Sequence, residues 1–320
     1  MSGYTTSDEK DLTSPKAEMR LVNKTFVFLA IALVVLLLFA CSTPPASTGK
    51  LNVVASTQIL GDVVAAIGGE SIELTVLIPP ASDPHAFEPV PQDAARLADA
   101  ELIFINGLNL EEALGQLLSA EGLSAITVSA GVMTIASGVQ EGEPDGSDPH
   151  VWMNPLNVKI WADNIAAALA AADPQHAAAY RANAAAYQAE LDALDAWAVE
   201  QFSQIPVEDR VLVTDHESLG YFADHYGFQV VGALIPSRST VSEPSASQLA
   251  ELEDAIRHYG VKAVFIGVNT NPQLAERVAA DTGVELVLLY IESLSEPGGS
   301  ASSYLDLIRF DVEAILTALQ

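Results

Sequence analysis

The chain has 320 residues and is strongly acidic, with 14 Lys and Arg against 42 Asp and Glu and a formal net charge of −28. Such a charge repels nucleic acid and phosphate esters and concentrates cations near the surface, although it equally serves solubility or a salty habitat. The single cysteine, Cys41, excludes a disulfide framework, a thiolate metal site and a cysteine nucleophile. Any metal site in the folded part must therefore use nitrogen and oxygen ligands.

The N-terminal segment predicts an exported, membrane-tethered protein that faces the extracellular or periplasmic side. Residues 25–40 form an apolar run of 16 residues, shorter than the ~20 of a membrane-spanning helix, so a signal peptide over residues 1–40 fits better than an uncleaved anchor helix. The letters LFAC end this run in a pattern that resembles the lipobox of bacterial lipoproteins, which implies that Cys41 is acylated and becomes the first mature residue. Residues 41–49 then form a flexible tether, and a start at Met19 would give the ordinary signal layout.

Beyond the tether, short apolar runs alternate with amphipathic helical patterns in two series. Predicted strands begin near residues 51, 72, 101 and 124, and again near 210, 228, 262 and 285. Helical patterns lie near 58–67, 91–99 and 110–119, and near 217–226, 245–258, 271–281 and 301–319. Because strand and helix alternate strictly, the sequence predicts βα units and parallel sheets. The predicted fold class is α/β, with two Rossmann-like lobes over residues 50–172 and 206–320.

A long backbone helix is predicted to join the two lobes, over residues 173–205. Asp173 and Pro174 supply an N-cap and a first-turn proline, and no further glycine or proline occurs up to Ile205. About 30 residues at 1.5 Å each make a rod of about 45 Å. A strut of this length implies restricted hinge motion between the lobes.

Histidine and carboxylate side chains follow several of the predicted strands, where open parallel sheets bind ligands. His85, His216 and Glu292 follow the strands that begin near 72, 210 and 285, and His150 lies between an acidic loop and the next helix. One histidine of this kind is more often structural, but three together, two of them directly after strands, favour a site. Three imidazoles and one carboxylate from both lobes can close a tetrahedral zinc site, which is our prediction.

The aspartates that precede two of these histidines are predicted to orient them. Asp83 and Asp148 each stand before a Pro-His pair, and both are candidate acceptors for the free ring N–H of the following histidine. The remaining histidines fit structural positions instead. His225 lies inside a helical pattern, His258 in a last helical turn where a cation suits the helix dipole, and His176 in the first turn of the linking helix.

Five segments carry a resemblance to a known family. In chain order they read DPHAFEP, DPHVWMNP, HESLGYFADHYG, EPSASQLAEL and YIESLSEPGGSASSYLDLIRF. In this combination the chain resembles, over nearly all of residues 50–320, the substrate-binding lipoproteins of zinc and manganese ABC importers, the ZnuA/TroA-like cluster A-I family. The resemblance implies two four-stranded lobes, a bridging helix, metal in the interlobe cleft, an ABC permease with its ATPase as partners, no nucleic acid, and a monomer. Matched motif by motif, His85, His150 and His216 fall on the family's histidine ligands and Glu292 on its carboxylate ligand.

Some positions depart from the pattern of that family. Glu292 stands where the family usually has aspartate, and Gly267 where many relatives have glutamate. The loop before His150 is acidic and lacks the histidines common in zinc-type relatives. Manganese-type relatives usually have a carboxylate at the position of His216. Since three imidazoles favour zinc over manganese, Zn²⁺ is the predicted cargo and Mn²⁺ the alternative.

Other classes of function stay open at this point. In a zinc hydrolase Glu292 would act as general base, although the chain lacks the HExxH motif. A surface adhesin or structural lipoprotein would bind metal only incidentally. A binder of haem or chelated iron would need an apolar or basic cleft, whereas these strand-end loops are rich in histidine and acidic residues.

Overall fold

The computed structural model describes residues 49–135 and 147–320, so the predicted signal peptide and Cys41 lie outside the described residues. The strands pair into two four-stranded sheets, and all the pairings are parallel. This confirms the predicted α/β fold with two parallel-sheet lobes. Within the described ranges, no helix combines the length and apolar character needed to cross a membrane.

The first sheet has the strand order β2-β1-β3-β4. Its strands are β1 (Leu51–Ala55), β2 (Ile72–Val76), β3 (Leu102–Ile105) and β4 (Ile126–Thr127). Its connecting helices are α1 (Gln58–Gly68), α2 (Pro91–Ala98) and α3 (Glu112–Glu121). The strand β1 pairs with β2 on one side and with β3 on the other, so the strand order reverses next to β1. In open parallel sheets a ligand-binding crevice forms at such a reversal, beyond the carboxyl ends of the strands.

The second sheet repeats this order as β6-β5-β7-β8. Its strands are β5 (Val211–Thr214), β6 (Gln229–Ala233), β7 (Ala263–Gly267) and β8 (Glu285–Leu289). Its helices are α6 (Gly220–Tyr226), α7 (Ala246–Tyr259), α8 (Gln273–Thr282) and α9 (Tyr304–Leu319). The strands β5 and β7 are buried throughout, as expected of central parallel strands covered on both faces.

Two consecutive helices, α4 (Pro155–Ala172) and α5 (Ala177–Phe202), lie between the sheets. The linking helix α5 therefore runs from Ala177 to Phe202, inside the predicted range of 173–205, because Asp173 is the C-cap of α4 and is not the N-cap of α5. The residue before a proline avoids the helical region, and Asp173 has φ −128° and ψ 80° accordingly. With 26 residues, α5 spans about 39 Å. The domain boundaries at 172 and 205 stay predictions.

One apolar core runs along α5 and joins side chains of both sheets and of α9. It includes Val53 of β1, Leu191 of α5, Phe265 of β7 and Ile308 of α9, all fully buried. Separating the lobes widely would expose part of this core to water, at ~25 cal/mol for each Å² of apolar surface. The packing therefore opposes large opening and keeps the carboxyl ends of the two sheets facing each other.

Candidate metal centre

Three of the four predicted ligand residues lie in segments that follow the carboxyl ends of strands, and the fourth precedes a helix. His85 lies in the loop between β2 and α2, His216 two residues after β5, and Glu292 three residues after β8. His150 precedes a short 3₁₀ turn that leads into α4, whose N-terminus is capped by the side chain of Asn154. Both lobes therefore contribute to the same crevice.

The structure brings these four side chains together at one point. The Nε2 atoms of His85 and His216 each lie 3.2 Å from Nε2 of His150. Oε1 of Glu292 lies 3.1 Å from Nε2 of His85, 3.2 Å from that of His216 and 3.6 Å from that of His150. A tetrahedral zinc ion with ligands at 2.0–2.1 Å separates neighbouring ligand atoms by about 3.3 Å. The spacing is that of a tetrahedral metal site.

The cluster is almost fully removed from solvent, with side-chain exposures of 0% for His150, 1% for His216, 3% for Glu292 and 5% for His85. Within the described residues, the close polar neighbours of Oε1 of Glu292 are the three ring nitrogens, and none of them makes a well-aligned hydrogen bond to it. A buried carboxylate is costly unless positive charge lies beside it, and a cation at the centre of the four ligand atoms would supply that charge. Among the described residues this is the one group of three or more His, Cys, Asp or Glu side chains that converges in this way.

Two aspartates orient two of the imidazoles. Oδ1 of Asp148 accepts hydrogen bonds from Nδ1 of His150 at 2.8 Å and from its backbone N–H at 2.9 Å, as predicted. Oδ1 of Asp215 does the same for His216, at 2.9 and 2.7 Å. Both rings therefore turn Nε2 towards the centre. This orienting role of Asp215 was not predicted, although the residue directly precedes His216 in the sequence.

Asp83 does not accept the ring N–H of His85, contrary to the prediction from the sequence. Its Oδ1 accepts the backbone N–H of His85 at 2.8 Å instead of the ring N–H, and its Oδ2 accepts the hydroxyl of Thr240. An aspartate side chain readily bonds the backbone N–H two residues ahead, and here it does so across Pro84. The same aspartate therefore connects the His85 loop with the second lobe.

Charge coupling shifts the pKa values of three residues in the cluster. Burial opposes a charged imidazole, but Glu292 and Asp215 outweigh it and hold the pKa of His216 well above its usual range. Burial likewise opposes charge on His150, yet Asp148 and Glu292 raise its pKa. Burial favours the neutral form of Glu292, but the three imidazoles keep the pKa of its carboxyl well below its usual range. Without metal the cluster therefore holds protons, which a metal ion must displace.

The other three histidines lie elsewhere and have local partners. Nε2 of His225 lies 2.6 Å from a carboxylate oxygen of Asp195, Nδ1 of His176 contacts Asp173, and His258 packs against the ring of Tyr259. These contacts fit the structural roles that the sequence predicts.

Gly267, the last residue of β7, is in contact with Asp215. Its backbone N–H donates to Oδ2 of Asp215 at 2.8 Å. A Cβ at this position would lie 3.3 Å from that oxygen and 2.9 Å from Oδ1 of Asn269. Glycine thus allows β7 to approach the aspartate that orients His216.

A parallel-sheet lobe on each side of a buried crevice, with polar side chains converging from both, defines a two-lobed binding protein. Residues 53–318 match the family model of the zinc-uptake complex component A, periplasmic. The chain belongs to this family.

Similar proteins with curated names are metal-binding lipoproteins. The chain is 33% identical over 303 residues to the manganese-binding lipoprotein MntA of Halalkalibacterium halodurans, covering 94% of this chain and 99% of the relative. It is 31% identical over 310 residues to the manganese ABC transporter substrate-binding lipoprotein PsaA of Streptococcus pneumoniae, covering 93% and 99%. The name of PsaA describes the substrate-binding component of a transporter, and neither name describes an enzyme.

Solved structures with the same fold bind different metals. A manganese-bound periplasmic metal binding protein from Candidatus Liberibacter asiaticus superposes with a TM-score of 0.75 at 30% identity, covering 85% of this chain and 100% of that protein. The periplasmic zinc binding protein TroA of Treponema pallidum superposes with a TM-score of 0.78 at 29% identity, covering 85% and 99%.

Proposed function

We propose that this protein captures a divalent transition metal ion outside the cytoplasm and delivers it to an ABC permease and its ATPase. The observation that supports this function most is the convergence of three imidazole nitrogens and Oε1 of Glu292 at the spacing of a tetrahedral site. Several relatives are named as substrate-binding lipoproteins of ABC transporters, which agrees with this proposal.

Zinc is the cargo that the ligand set favours. Three imidazoles suit zinc, whereas manganese prefers harder oxygen ligands. Manganese is the second candidate, favoured by the names of several relatives and by the longer Glu292 side chain. Oε2 of Glu292 has a long contact, 3.4 Å, with the amide of Asn269, so this oxygen could become a fifth ligand.

Metal content and competition test this assignment. Protein purified without added metal should contain zinc, and zinc should displace manganese in equilibrium titrations monitored by a fluorescent chelator. Manganese in the purified protein, resistant to equimolar zinc, would assign Mn²⁺ as the cargo. Dissociation constants in the millimolar range for both metals would favour an adhesin or structural lipoprotein and overturn the proposal.

The geometry argues against a zinc hydrolase. Catalytic zinc keeps one position open for water, whereas Oε1 of Glu292 occupies the fourth corner of this site and is spaced as a ligand. We therefore expect zinc-loaded protein to show no turnover of ester, peptide or phosphate substrates. Turnover that is abolished by Glu292→Gln would support the enzyme instead. A haem or chelated-iron ligand is disfavoured because it would meet an acidic, imidazole-lined cleft.

We further propose that the protein acts as a monomer, anchored to the outer side of the cell membrane through an acylated Cys41. The relatives named above are lipoproteins, and the LFAC pattern supports the same processing. Mass spectrometry of membrane-derived protein should find a lipid-modified Cys41 as the first residue. If Cys41→Ser leaves cleavage and membrane attachment unchanged, the anchor lies elsewhere.

A further inference from the structure

The three imidazoles of the metal centre are held in two different ways. The rings of His150 and His216 each donate from Nδ1 to a buried aspartate. In residues 49–135 and 147–320, no hydrogen bond reaches Nδ1 of His85, and its side chain is the most exposed of the four ligand side chains. The position of His85 therefore depends on the backbone that carries it. We call this segment, residues 79–85, the strap.

One side chain of the second lobe holds the strap beside His85. The hydroxyl of Thr240 donates to Oδ2 of Asp83, and Oδ1 of Asp83 accepts the backbone N–H of His85 at 2.8 Å. The aspartate thus transmits the position of Thr240 to the histidine. Loss of the hydroxyl would free the Asp83 side chain and, with it, the backbone of His85.

A second interlobe contact holds the strap at a strained residue. Ala81 has φ +56°, in the left-handed region that L residues adopt at an energetic cost. Its N–H donates to the hydroxyl of Ser293 at 2.8 Å, directly after the ligand Glu292. Because the strain is balanced by a contact from the other lobe, the strap gains conformational freedom when that contact opens.

A cleft of about 590 Å³ opens beside the strap. Asp83 and Thr240 form part of its wall, and it extends inward to His216 and Glu292. It is large enough for a hydrated ion. On the far side, His150 and Asp148 are buried, with exposures of 0% and 2%. The cleft therefore connects solvent with His216 and Glu292, and Asp83 of the strap borders it.

We propose that Thr240 and Asp83 are positioning residues that set the rate at which the metal leaves. When their contact opens, the strap carries His85 away from the ion, while His150, His216 and Glu292 still hold it from the other sides. His85 is then the first ligand to dissociate, and the ion exits through the cleft. This inference rests on the proposed metal-binding function.

Release kinetics of the full mature chain test the inference. Zinc-loaded protein is mixed with a large excess of a chromogenic chelator in a stopped-flow instrument. Thr240→Val removes the hydroxyl with little change of shape and should accelerate zinc release about tenfold or more, since the lost hydrogen bond has a charged acceptor. Thr240→Ser keeps the hydroxyl and should restore the wild-type rate. Thr240→Ala serves as a second variant if the valine protein folds poorly.

Tyr221→Phe is the matched control. It removes another interlobe hydrogen bond, from the Tyr221 hydroxyl to the carbonyl of Asp148 at 3.0 Å, on the side away from the strap. Its release rate should stay within about twofold of wild type. An unchanged rate in both Thr240→Val and Thr240→Ala would overturn the role of the strap, as would equal acceleration in Tyr221→Phe. Absence of submillimolar zinc or manganese binding by the wild type would instead refute the proposed function itself.

Discussion

Asp215 shows how a single buried carboxylate can organise a ligand. Its Oδ1 accepts two N–H groups of His216, while its Oδ2 accepts the N–H of Gly267 at 2.8 Å and the hydroxyl of Thr270 at 2.5 Å. All four neighbours are donors, which suits a carboxylate because it only accepts. Burial raises the pKa of Asp215, but the His216 imidazole and these hydrogen bonds outweigh it and lower the pKa below its usual range.

Asp215→Asn should therefore be damaging although the two side chains have nearly the same shape. The amide NH₂ must face either His216 or Gly267, and both present donors to it. We expect a loss of about 2 kcal/mol in the free energy of unfolding and a 10- to 100-fold weaker zinc affinity. Chemical denaturation and chelator competition measure the two effects. Asp195→Asn, at a more exposed pair with His225, is the control and should leave zinc affinity unchanged.

The ligand assignment itself predicts a clear division among the histidines. Single replacement of His85, His150 or His216 by alanine should weaken zinc binding by several orders of magnitude, because each removes one of four ligand atoms. His225→Ala and His258→Ala should bind like wild type, as neither side chain reaches the cluster. Isothermal titration with a competing chelator measures the affinities. Comparable losses in both sets would refute the assignment.

Three of the four candidate ligands, His85, His216 and Glu292, could be predicted because they follow strands, and parallel strands end at one edge of a sheet. His150 instead precedes a helix and was indicated by its Asp-Pro-His segment. The mutual distances of the four ligands could not be predicted, since Oε1 of Glu292 reaches the imidazoles only through the relative placement of the two lobes. The contact of Asp83 with Thr240 joins residues 157 positions apart. No local pattern in the sequence specifies such a pair.

The helix α6 begins beside Asp148, the residue that orients His150. Its first residue, Gly220, lies so near Asp148 that an added Cβ would stand 2.6 Å from Oδ2 of that aspartate and 3.0 Å from Cδ1 of Ile135. Asp148 is buried and holds both the ring and the backbone of His150, so it has little room to move. Glycine at this position allows the second lobe to close on the first.

Gly220→Ala should push α6 and Asp148 apart. We expect a loss of about 1–3 kcal/mol in the free energy of unfolding and a weaker zinc affinity, by about tenfold or more. Gly115→Ala is the matched control, because Gly115 lies in the exposed part of α3 with no atom within 4 Å of an added Cβ. That change should stabilise the helix by up to about 1 kcal/mol. Thermal unfolding of both variants, with and without zinc, is the measurement. Equal behaviour of the two would contradict the close contact.

The order and type of the elements could be predicted from hydrophobic patterning, but some boundaries could not. The β4 strand has two residues, although AITVSA in isolation predicts a longer strand. It lies at the edge of its sheet and pairs with β3 alone, so tertiary pairing limits its length. At Asp173 the predicted N-cap of the following helix is wrong, because the residue before Pro174 avoids the helical region and instead ends α4.

At the scale of the whole molecule, protons and metal compete for one cleft between the lobes. The carboxylates of Glu292 and Asp215 outweigh burial and raise the pKa of His216 in the folded, metal-free protein. Protonated His216 therefore stabilises this fold fully below the unfolded pKa of about 6.5. The contribution is lost as the pH rises through the folded pKa. The imidazoles outweigh burial and lower the pKa of Glu292, so its carboxylate stabilises the fold above about pH 4.3. This contribution is lost as the pH falls through the folded pKa. The metal-free protein therefore gains most from this cluster between those two pH values.

Zinc requires neutral imidazoles, so its binding must follow the opposite trend. The sequence alone predicts a steep loss of affinity from about pH 7 to about pH 5, approaching tenfold per histidine for each pH unit below its pKa. The raised pKa values of His150 and His216, which neighbouring carboxylates impose despite burial, extend this competition to higher pH. Affinity should still be increasing with pH above 7. A site made mainly of carboxylates would respond much less over the same range.

Thermal unfolding between about pH 5.5 and about pH 8 combines both trends in one experiment. As the pH rises, the melting temperature of the metal-free protein should fall, while the increase caused by saturating zinc should grow, because binding stabilises by mass action. In His216→Ala the second lobe loses its only imidazole ligand, so the zinc-induced increase should disappear together with the part of the pH dependence that His216 contributes. His225→Ala should keep both. If the wild-type zinc effect is flat across this range, or His216→Ala retains it in full, three bridging imidazoles do not hold the metal, and a carboxylate site on the acidic surface explains the binding better.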